Sequence, residues 1–210
     1  MPQCKIESLS QSSSWSLWRV DENLEELWQM LNPEVEAQFE FHAIHHPQKK
    51  LEWLASRLVI KNLVEHSGMV FKGIYKDAFG KPHLNRSSFH ISIAHCFPYA
   101  VGALHQTQPI GIDIERPRNK LLRIRDRFLN DIEASVAGSN LHLLCQYWTG
   151  KEVIYKIYGR KKLVFRDHIH INLSNGTLDL STGFINFDQV KNKYNIKIQQ
   201  FEDHYIAIGA

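Results

Sequence analysis

Two carboxylic acids stand two residues apart in the stretch GIDIERP, residues 111–117. The apolar, β-branched residues around them predict a strand. Side chains two apart on a strand point to the same face, so Asp113 and Glu115 should lie side by side while Ile112 and Ile114 point the other way. Neighbouring carboxylates repel each other, and binding a hard cation such as Mg²⁺ would explain the pair. Two acids exposed to solvent at a strand end are the alternative.

A third acid lies downstream in WTGKEVIYK, residues 148–156, where the pattern predicts a helix. Apolar residues occupy one side of this helix, so we expect Lys151, Glu152 and Lys156 to share the other. Three acids could bind a metal and two ammonium groups could bind phosphates, which is the equipment that phosphoryl transfer requires. Alternatively, Glu152 and Lys156, four residues apart, could form only a surface ion pair of about 0.3–0.5 kcal/mol.

The elements that would position these residues can be predicted from periodicity. Asn32-Pro33 predicts an N-cap and the first turn of a helix. Asn175-Gly176 is typical of a hairpin turn. Helical spacing of apolar residues covers 23–31, 49–66 and 140–159 and also returns from about 119. Stretches rich in β-branched residues predict strands over 89–96, 99–105 and 109–115 and two more strands within 194–210.

Composition narrows the class of protein. With 210 residues, 43% hydrophobic and 22% charged, the chain should form a packed globular core. A net charge of +3 is too small to indicate nucleic-acid binding. The cysteines, Cys4, Cys96 and Cys145, are odd in number and widely spaced, which favours a reducing compartment. No signal peptide and no apolar run of about 20 residues is present, so we expect a cytoplasmic protein that binds neither nucleic acid nor membrane.

A faint internal repeat predicts the domain organisation. HISIAHCFPYAVGA, residues 90–103, resembles NIKIQQFEDHYIAIGA, residues 195–210. Each segment would end a half of the chain in which helices precede strands. We therefore expect an α+β fold of two pseudo-symmetric halves, 1–108 and 109–210, each a small sheet packed with helices. The second half would carry the metal and catalytic residues.

Gly111–Glu115 and Trp148–Lys156, in this order and about 35 residues apart, resemble the paired signature of the 4′-phosphopantetheinyl transferases. The likeness is greatest to the long, surfactin-synthetase-activating type and covers roughly residues 49–160. It implies transfer of phosphopantetheine from coenzyme A, the co-substrate, to a serine of an acyl or peptidyl carrier protein. It also implies two α+β halves with the active site in the cleft between them.

The resemblance implies a role for each residue of these motifs. Asp113, Glu115 and Glu152 resemble the ligands of Mg²⁺, for which Mn²⁺ could substitute, and Glu152 would also be catalytic. Lys156 resembles a catalytic lysine that contacts the coenzyme A phosphates. Lys151 resembles a neighbouring lysine of the family that lies near the nucleotide. Glu133, in RFLNDIE, resembles an acid proposed as general base.

Three further positions resemble contacts to the adenosine end of coenzyme A. Lys81 lies in a Phe-Gly-Lys-Pro stretch that resembles the family's Gly-Lys-Pro turn. His95 and Arg57 resemble residues that bind the 3′-phosphate. The family usually has serines where this chain has Ala94 and Cys96, which removes one hydroxyl contact. Taken singly, each could instead be an ordinary surface or strand residue.

The expected carrier partner suggests a docking surface. Carrier proteins are generally acidic near the modified serine, so a basic patch should meet them. One basic segment directly follows the predicted strand of Asp113 and Glu115, and it could equally be an ordinary solvent-exposed segment. Its basic residues are Arg116, Arg118, Lys120, Arg123 and Arg125. Two fused halves suggest a monomer.

Two other classes of function stay open. The chain could be a non-catalytic module that binds coenzyme A or a carrier protein. Its histidines could also form the zinc site of a metallohydrolase. The candidate ligands are His42, His45, His46, His168 and His170.

Overall fold

A computed structural model describes residues 4–173 and 181–210. The chain divides into two compact units, Met1–Gln108 and Pro109–Ala210. Each unit combines one antiparallel sheet with helices, which confirms the α+β class. The predicted Asn175-Gly176 hairpin lies outside the described residues.

The N-terminal unit contains a six-stranded sheet in the order β1-β2-β6-β5-β4-β3. Its helices lie between the second and third strands of the sequence. The elements are β1 (Cys4–Ser10), β2 (Ser13–Arg19), α1 (Leu24–Leu31), α2 (Val35–His42), α3 (Pro47–His66), β3 (Ile74–Lys76), β4 (Pro82–Leu84), β5 (His90–Cys96) and β6 (Tyr99–His105).

Helix α3 forms the core of this unit by packing on β2 and β6. Gly102 of β6 permits the close approach, because a Cβ there would lie 2.8 Å from Cδ1 of Ile60 on α3. Helix α1 begins at a capping box in which Asn23 and Glu26 satisfy each other's backbone N–H groups. The predicted N-cap at Asn32 is wrong. Asn32 instead ends α1 in the left-handed conformation, φ 45°, which asparagine tolerates better than most residues.

The C-terminal unit contains a five-stranded sheet in the order β7-β11-β10-β9-β8. Four helices lie between its first two strands along the chain. The elements are β7 (Gly111–Glu115), α4 (Asn119–Phe128), α5 (Asp131–Ala137), α6 (Leu141–Tyr158), α7 (Phe165–His168), β8 (Ile169–Asn172), β9 (Ser181–Phe187), β10 (Val190–Phe201) and β11 (His204–Gly209).

Helix α6 forms the centre of the C-terminal unit, where it packs on β7 and β11. The two segments that resemble each other in sequence both form antiparallel hairpins, β5–β6 in one unit and β10–β11 in the other. In the described ranges, no helix has both the length and the apolar character needed to cross a bilayer.

Candidate functional site

Helix α6 carries the second of the two predicted motifs, and local signals fix both of its ends. The Asn140 side chain accepts hydrogen bonds from the backbone N–H groups of His142 and Leu143, at 2.9 and 3.3 Å. Gly159 ends the helix in the left-handed conformation, φ 67°, and its N–H donates to the Tyr155 carbonyl. The helix register is thus anchored independently of the site.

Strand β7 begins directly against this helix because residue 111 is glycine. A Cβ on Gly111 would lie 2.3 Å from the backbone oxygen of Val153, far inside van der Waals contact. Asp113 and Glu115 lie on the same face of the strand as Gly111 and therefore face α6. Ile112 and Ile114 point the other way and are also buried.

The side chains of α6 that meet this face recur every fourth residue: Trp148, Glu152 and Lys156. Residues four apart are neighbours on one helix face. The Lys156 ammonium donates to Asp113 Oδ1 at 2.7 Å and to the Ile112 carbonyl at 3.0 Å. The ring of Trp148 packs on Phe128 and Phe165, with 5.2 and 5.4 Å between ring centres. We call Asp113, Glu115 and Glu152 the carboxylate cluster.

Two of the three carboxyls in the carboxylate cluster have raised pKa values. Burial and the charge of Asp113 raise the pKa of Glu152 to about 7, with a smaller contribution from Glu115, although the ammonium of Lys156 opposes the shift. Burial and Asp113 also raise the pKa of Glu115, against Arg118, the backbone N–H of Arg116 and the indole of Trp148. Asp113 Oδ2 is buried and accepts no hydrogen bond from any described residue.

The carboxylate cluster does not form the ready-made metal site that the sequence predicts. Nowhere in 4–173 or 181–210 is a group of three or more histidine, cysteine, aspartate or glutamate side chains arranged so that it could hold a metal ion. Lys156 engages Asp113 instead. The donor chemistry nevertheless fits a hard cation, because the donors are carboxylate oxygens, they repel one another, and Asp113 Oδ2 has no donor. Metal binding would require these side chains to rotate.

Lys151 does not share the face of Glu152 and Lys156, so that prediction is wrong. Its ammonium is fully buried and donates at 2.6 Å to Glu133 Oε2 and to the carbonyls of Phe128 and Ile169. The three N–H bonds of the ammonium match these three acceptors. A fourth contact, 3.1 Å to the Phe165 carbonyl, is longer.

Glu133 is satisfied just as completely. Its Oε2 accepts from Lys151 and from the backbone N–H of Asn130 at 3.0 Å, and its Oε1 from the backbone N–H of Ile171 at 2.8 Å. Only 3% of the residue is exposed. We call Lys151 and Glu133 the buried pair. In this geometry it joins α4, α5, α6 and β8, and neither side chain offers a free polar atom to a ligand.

Arg57, the candidate phosphate ligand of the N-terminal unit, lies over the ring of Trp53, with 3.5 Å between its guanidinium carbon and the ring centre. The guanidinium pairs with Glu40, which also accepts from Trp53 Nε1 at 3.0 Å. Burial lowers the pKa of Arg57 to about 10 in spite of Glu40, so the group stays charged at neutral pH. Arg57 lines a cleft of about 670 Å³ within this unit.

Lys81 lies in a tight turn that Asp77 organises. Asp77 Oδ1 accepts from the backbone N–H groups of Phe79 and Lys81, both at 2.9 Å, and Gly80 takes the left-handed conformation, φ 85°. Burial lowers the pKa of Lys81, although the charge of Asp77 opposes this.

His95, on β5, is held on one side by a carboxylate. Its Nδ1 lies 3.5 Å from Oε2 of Glu52, a buried side chain that also accepts from Lys49 at 2.6 Å. Burial alone would raise the pKa of Glu52, but Lys49, Gln48 and His95 together lower it.

The histidines considered for a zinc site have other contacts. The ring of His42 packs on Trp28, the ring of His168 on Phe187, and His170 Nδ1 lies 2.9 Å from the amide of Asn130. His45 and His46 are exposed. The described part of the chain therefore offers no support for a zinc site built from them.

Sequence analysis missed three residues that lie beside residues of the predicted site. Trp148 could have been found, because its spacing of four from Glu152 and eight from Lys156 places it on their face. Glu40 and Glu52 gave no signal, because their contacts to Arg57 and His95 join residues far apart in the sequence.

An α+β unit in which a strand Asp-x-Glu faces a helical Glu and Lys defines a candidate phosphoryl-transfer centre. Residues 109–208, which include β7 and α6, match the family model of the 4′-phosphopantetheinyl transferase superfamily. The match spans the C-terminal unit, slightly less than half of the chain. No curated protein matches the chain. The resemblance is thus confirmed for this region at the level of the superfamily, and the surfactin-synthetase-activating type stays a prediction.

Proposed function

We propose that the protein transfers 4′-phosphopantetheine from coenzyme A to a serine of an acyl or peptidyl carrier protein and releases adenosine 3′,5′-bisphosphate. The observation that carries this proposal is the contact between the two motifs inside the matched region: the Lys156 ammonium lies 2.7 Å from Asp113 Oδ1. The charges of Asp113, Lys156 and Glu115 all act on Glu152. Strand and helix thus present carboxylates and an ammonium on facing surfaces.

Asp113, Glu115 and Glu152 would hold Mg²⁺, or Mn²⁺ in its place. The ion would supply positive charge to the pyrophosphate of coenzyme A. A cation would also give Asp113 Oδ2 a partner and relieve the carboxylate repulsion that adds to burial in raising the pKa of Glu152.

Lys156 would stabilise the negative charge that grows on the departing phosphate. Its side chain is 24% exposed, so the ammonium could turn from Asp113 toward a ligand. A preorganised cation acts most strongly where charge develops during the displacement.

For the buried pair we propose a structural role in place of the contacts implied by the resemblance. A general base needs a free oxygen, and Glu133 already accepts three hydrogen bonds. Lys151 would have to leave three short hydrogen bonds and a carboxylate before it could reach a nucleotide.

In the N-terminal unit, Arg57, Lys81 and His95 would bind the adenosine end of coenzyme A. Glu40 is half exposed and is the present partner of Arg57, so a 3′-phosphate could replace it without burying a further charge. The carboxylate of Glu52, 3.5 Å from His95 Nδ1, would orient the imidazole ring for contact with the phosphate.

The carrier protein would dock on α4, on Lys120 and Arg123 of the predicted basic segment and on Arg127, which lies beyond that segment. Arg116 pairs with Asp203, and Arg125 bonds Asp126 and the Gly138 carbonyl. Three exposed basic side chains of α4 form no ion pair within the described residues and are three and four apart on one face: Lys120, Arg123 and Arg127. This basic face would attract an acidic carrier protein.

Incubation with labelled coenzyme A and a panel of apo carrier proteins tests the proposal. Label should enter at least one carrier when Mg²⁺ is present and should not when a chelator is added. Asp113→Ala should remove transfer and leave the far-ultraviolet circular dichroism spectrum unchanged. Binding of coenzyme A and carrier without transfer would favour a non-catalytic binding module. Transfer that persists undiminished in chelator would refute the role given to the carboxylate cluster.

A further inference from the structure

The guanidinium of Arg57 is held in place by a residue of its own helix. It lies over the ring of Trp53, with 3.5 Å between the guanidinium carbon and the ring centre, and its Nη1 donates to the Trp53 carbonyl at 3.3 Å. Trp53 is one turn earlier on α3, so the helix itself supplies both contacts. Arg57 therefore stays in position whether or not a carboxylate contacts it.

Three donors converge on the carboxylate of Glu40, which belongs to α2. Arg57 Nη2 and Trp53 Nε1 both donate to Oε2, the indole at 3.0 Å, and the Lys76 ammonium donates to Oε1 at 3.3 Å. We call Arg57, Trp53 and Lys76 the anion site. Burial alone would raise the pKa of Glu40, but these three residues lower it, so the carboxylate is charged at neutral pH.

The Glu40 carboxylate matches the anion site only in part. Arg57 and Lys76 are both cationic, whereas Glu40 carries a single negative charge, and one of its oxygens serves two of the three donors. A phosphate monoester carries about −1.5 to −2 charges at neutral pH and has three acceptor oxygens. It would match both the charge of the anion site and the number of its donors.

Glu40 can leave the anion site only when another anion takes its place. The side chain of Arg57 is 10% exposed, and a buried guanidinium without a partner is costly. The side chain of Glu40 is 46% exposed, so it can turn to solvent at little cost. Arg57 also lines the cleft of about 670 Å³, a size typical of small-molecule sites, through which a ligand can reach it.

We propose that Glu40 is a specificity-determining residue that occupies the anion site in the free protein and competes with the 3′-phosphate of coenzyme A for Arg57. This inference rests on the proposed function. Coenzyme A and the released adenosine 3′,5′-bisphosphate carry the same phosphate, so the competition weakens binding of both and favours release of the product.

Calorimetric titration with coenzyme A and with 3′-dephospho-coenzyme A measures this competition, because the two ligands differ only in the 3′-phosphate. We expect Glu40→Gln to bind coenzyme A about fivefold more tightly than the unaltered protein does, the effect of one half-exposed ion pair. Its affinity for 3′-dephospho-coenzyme A should change by less than about twofold. If Glu40 only positioned Arg57, the same substitution would weaken binding of coenzyme A.

Glu36→Gln is the matched control. Glu36 lies one turn earlier on α2, lines the same cleft and loses the same charge on substitution, but it forms no ion pair with any residue that the structure describes. We expect its affinities for both ligands to stay within about twofold of those of the unaltered protein.

If Glu40→Gln fails to fold, the unaltered protein still tests the exchange. The assigned indole N–H resonance of Trp53 should move on addition of adenosine 3′,5′-bisphosphate, because its acceptor changes. It should stay in place with adenosine 5′-monophosphate, which lacks the 3′-phosphate.

Three results would overturn the inference and leave the proposed transfer reaction intact. These are coenzyme A binding to Glu40→Gln that is weaker or unchanged, an equal gain for both ligands, and a Trp53 resonance that the bisphosphate does not move. Equal affinity of the unaltered protein for coenzyme A and 3′-dephospho-coenzyme A would overturn the inference together with the 3′-phosphate contact of Arg57. Failure of the unaltered protein to bind coenzyme A would overturn both the inference and the proposed function.

Discussion

Helix α6 carries two charged centres at consecutive residues, and they differ in how fully their charges are satisfied. Lys151 faces the core, where Glu133 and backbone carbonyls match every N–H of its ammonium. Glu152 faces β7, where burial and the charges of neighbouring carboxyls raise its pKa to about 7. Beside it, Asp113 Oδ2 accepts no hydrogen bond from any described residue. A buried charge whose hydrogen bonds are all made stabilises the fold. A buried charge that lacks partners or lies next to like charges is a candidate for ligand binding.

Breaking the buried pair should have the largest effect on stability. Lys151→Met leaves the Glu133 carboxylate buried and uncompensated, which should cost about 3–5 kcal/mol. Urea denaturation measures the loss. Lys156→Met on the same helix is the matched control and should cost clearly less, because Lys156 is partly exposed. Equal losses in the two variants would contradict the division between the centres.

Separating the strand from the helix should disturb the carboxylate cluster next. In Gly111→Ala the new Cβ meets the Val153 carbonyl, and the overpacking should cost about 1–3 kcal/mol. Transfer activity should fall with it, since the contact of Lys156 with Asp113 depends on this approach. Gly150→Ala, on the facing helix α6, is the control. Its new Cβ would lie 3.4 Å from the nearest atom, so the substitution should leave stability unchanged or raise it. Similar losses from both substitutions would show that the close approach at Gly111 is unimportant.

The pH dependence of stability should report on Glu152. Because its pKa in the fold is raised from 4.5 to about 7, the stability that it contributes is full below 4.5 and is lost as pH rises through about 7. Glu152→Gln should remove this contribution to the pH dependence of the free energy of unfolding. The stability of the variant relative to that of the unaltered protein should therefore rise between pH 4.5 and about 7. Urea denaturation from pH 4.5 to 8 measures it, with the exposed Glu36→Gln as control. Parallel curves for Glu152→Gln and the unaltered protein would rule out the raised pKa.

A divalent cation should produce the smallest change in stability. At about ten times its dissociation constant, a ligand that binds only the folded state stabilises it by roughly 1.4 kcal/mol. We expect millimolar Mn²⁺ to raise the melting temperature of the unaltered protein by a few degrees and to leave that of Asp113→Asn unchanged. A rise of the same size in Asp113→Asn would place the binding site elsewhere.

The sequence predicted the parts of the site that depend on local periodicity. The two-residue period of β7 puts Asp113 and Glu115 on one face, and the motif on α6 brings Lys156 to them. The error at Lys151 came from treating residues 151, 152 and 156 as one face. Residues 151 and 152 lie about 100° apart around a helix, and the four-residue spacing of 148, 152 and 156 was the better guide.

Contacts between distant residues could not be predicted in the same way. The partner of Lys151 is 18 residues earlier and that of Arg57 is 17 residues earlier, on other helices. The serine-rich strands β1 and β2 were also missed, because their hydrophobic pattern is irregular and pairing defines them: β1 pairs with β2, and β2 pairs with β6. Turn and cap chemistry decided the role of Asn32, where sequence alone favoured the wrong end of a helix.

The most direct test of whether the carboxylate cluster is the active centre is a transfer assay on Glu152→Gln. The assay compares transfer of labelled phosphopantetheine by this variant and by the unaltered protein at saturating Mg²⁺. We predict a folded variant, with a melting temperature no lower than that of the unaltered protein, that transfers no label to a carrier that the unaltered protein modifies. Transfer at an undiminished rate by this variant would contradict the account.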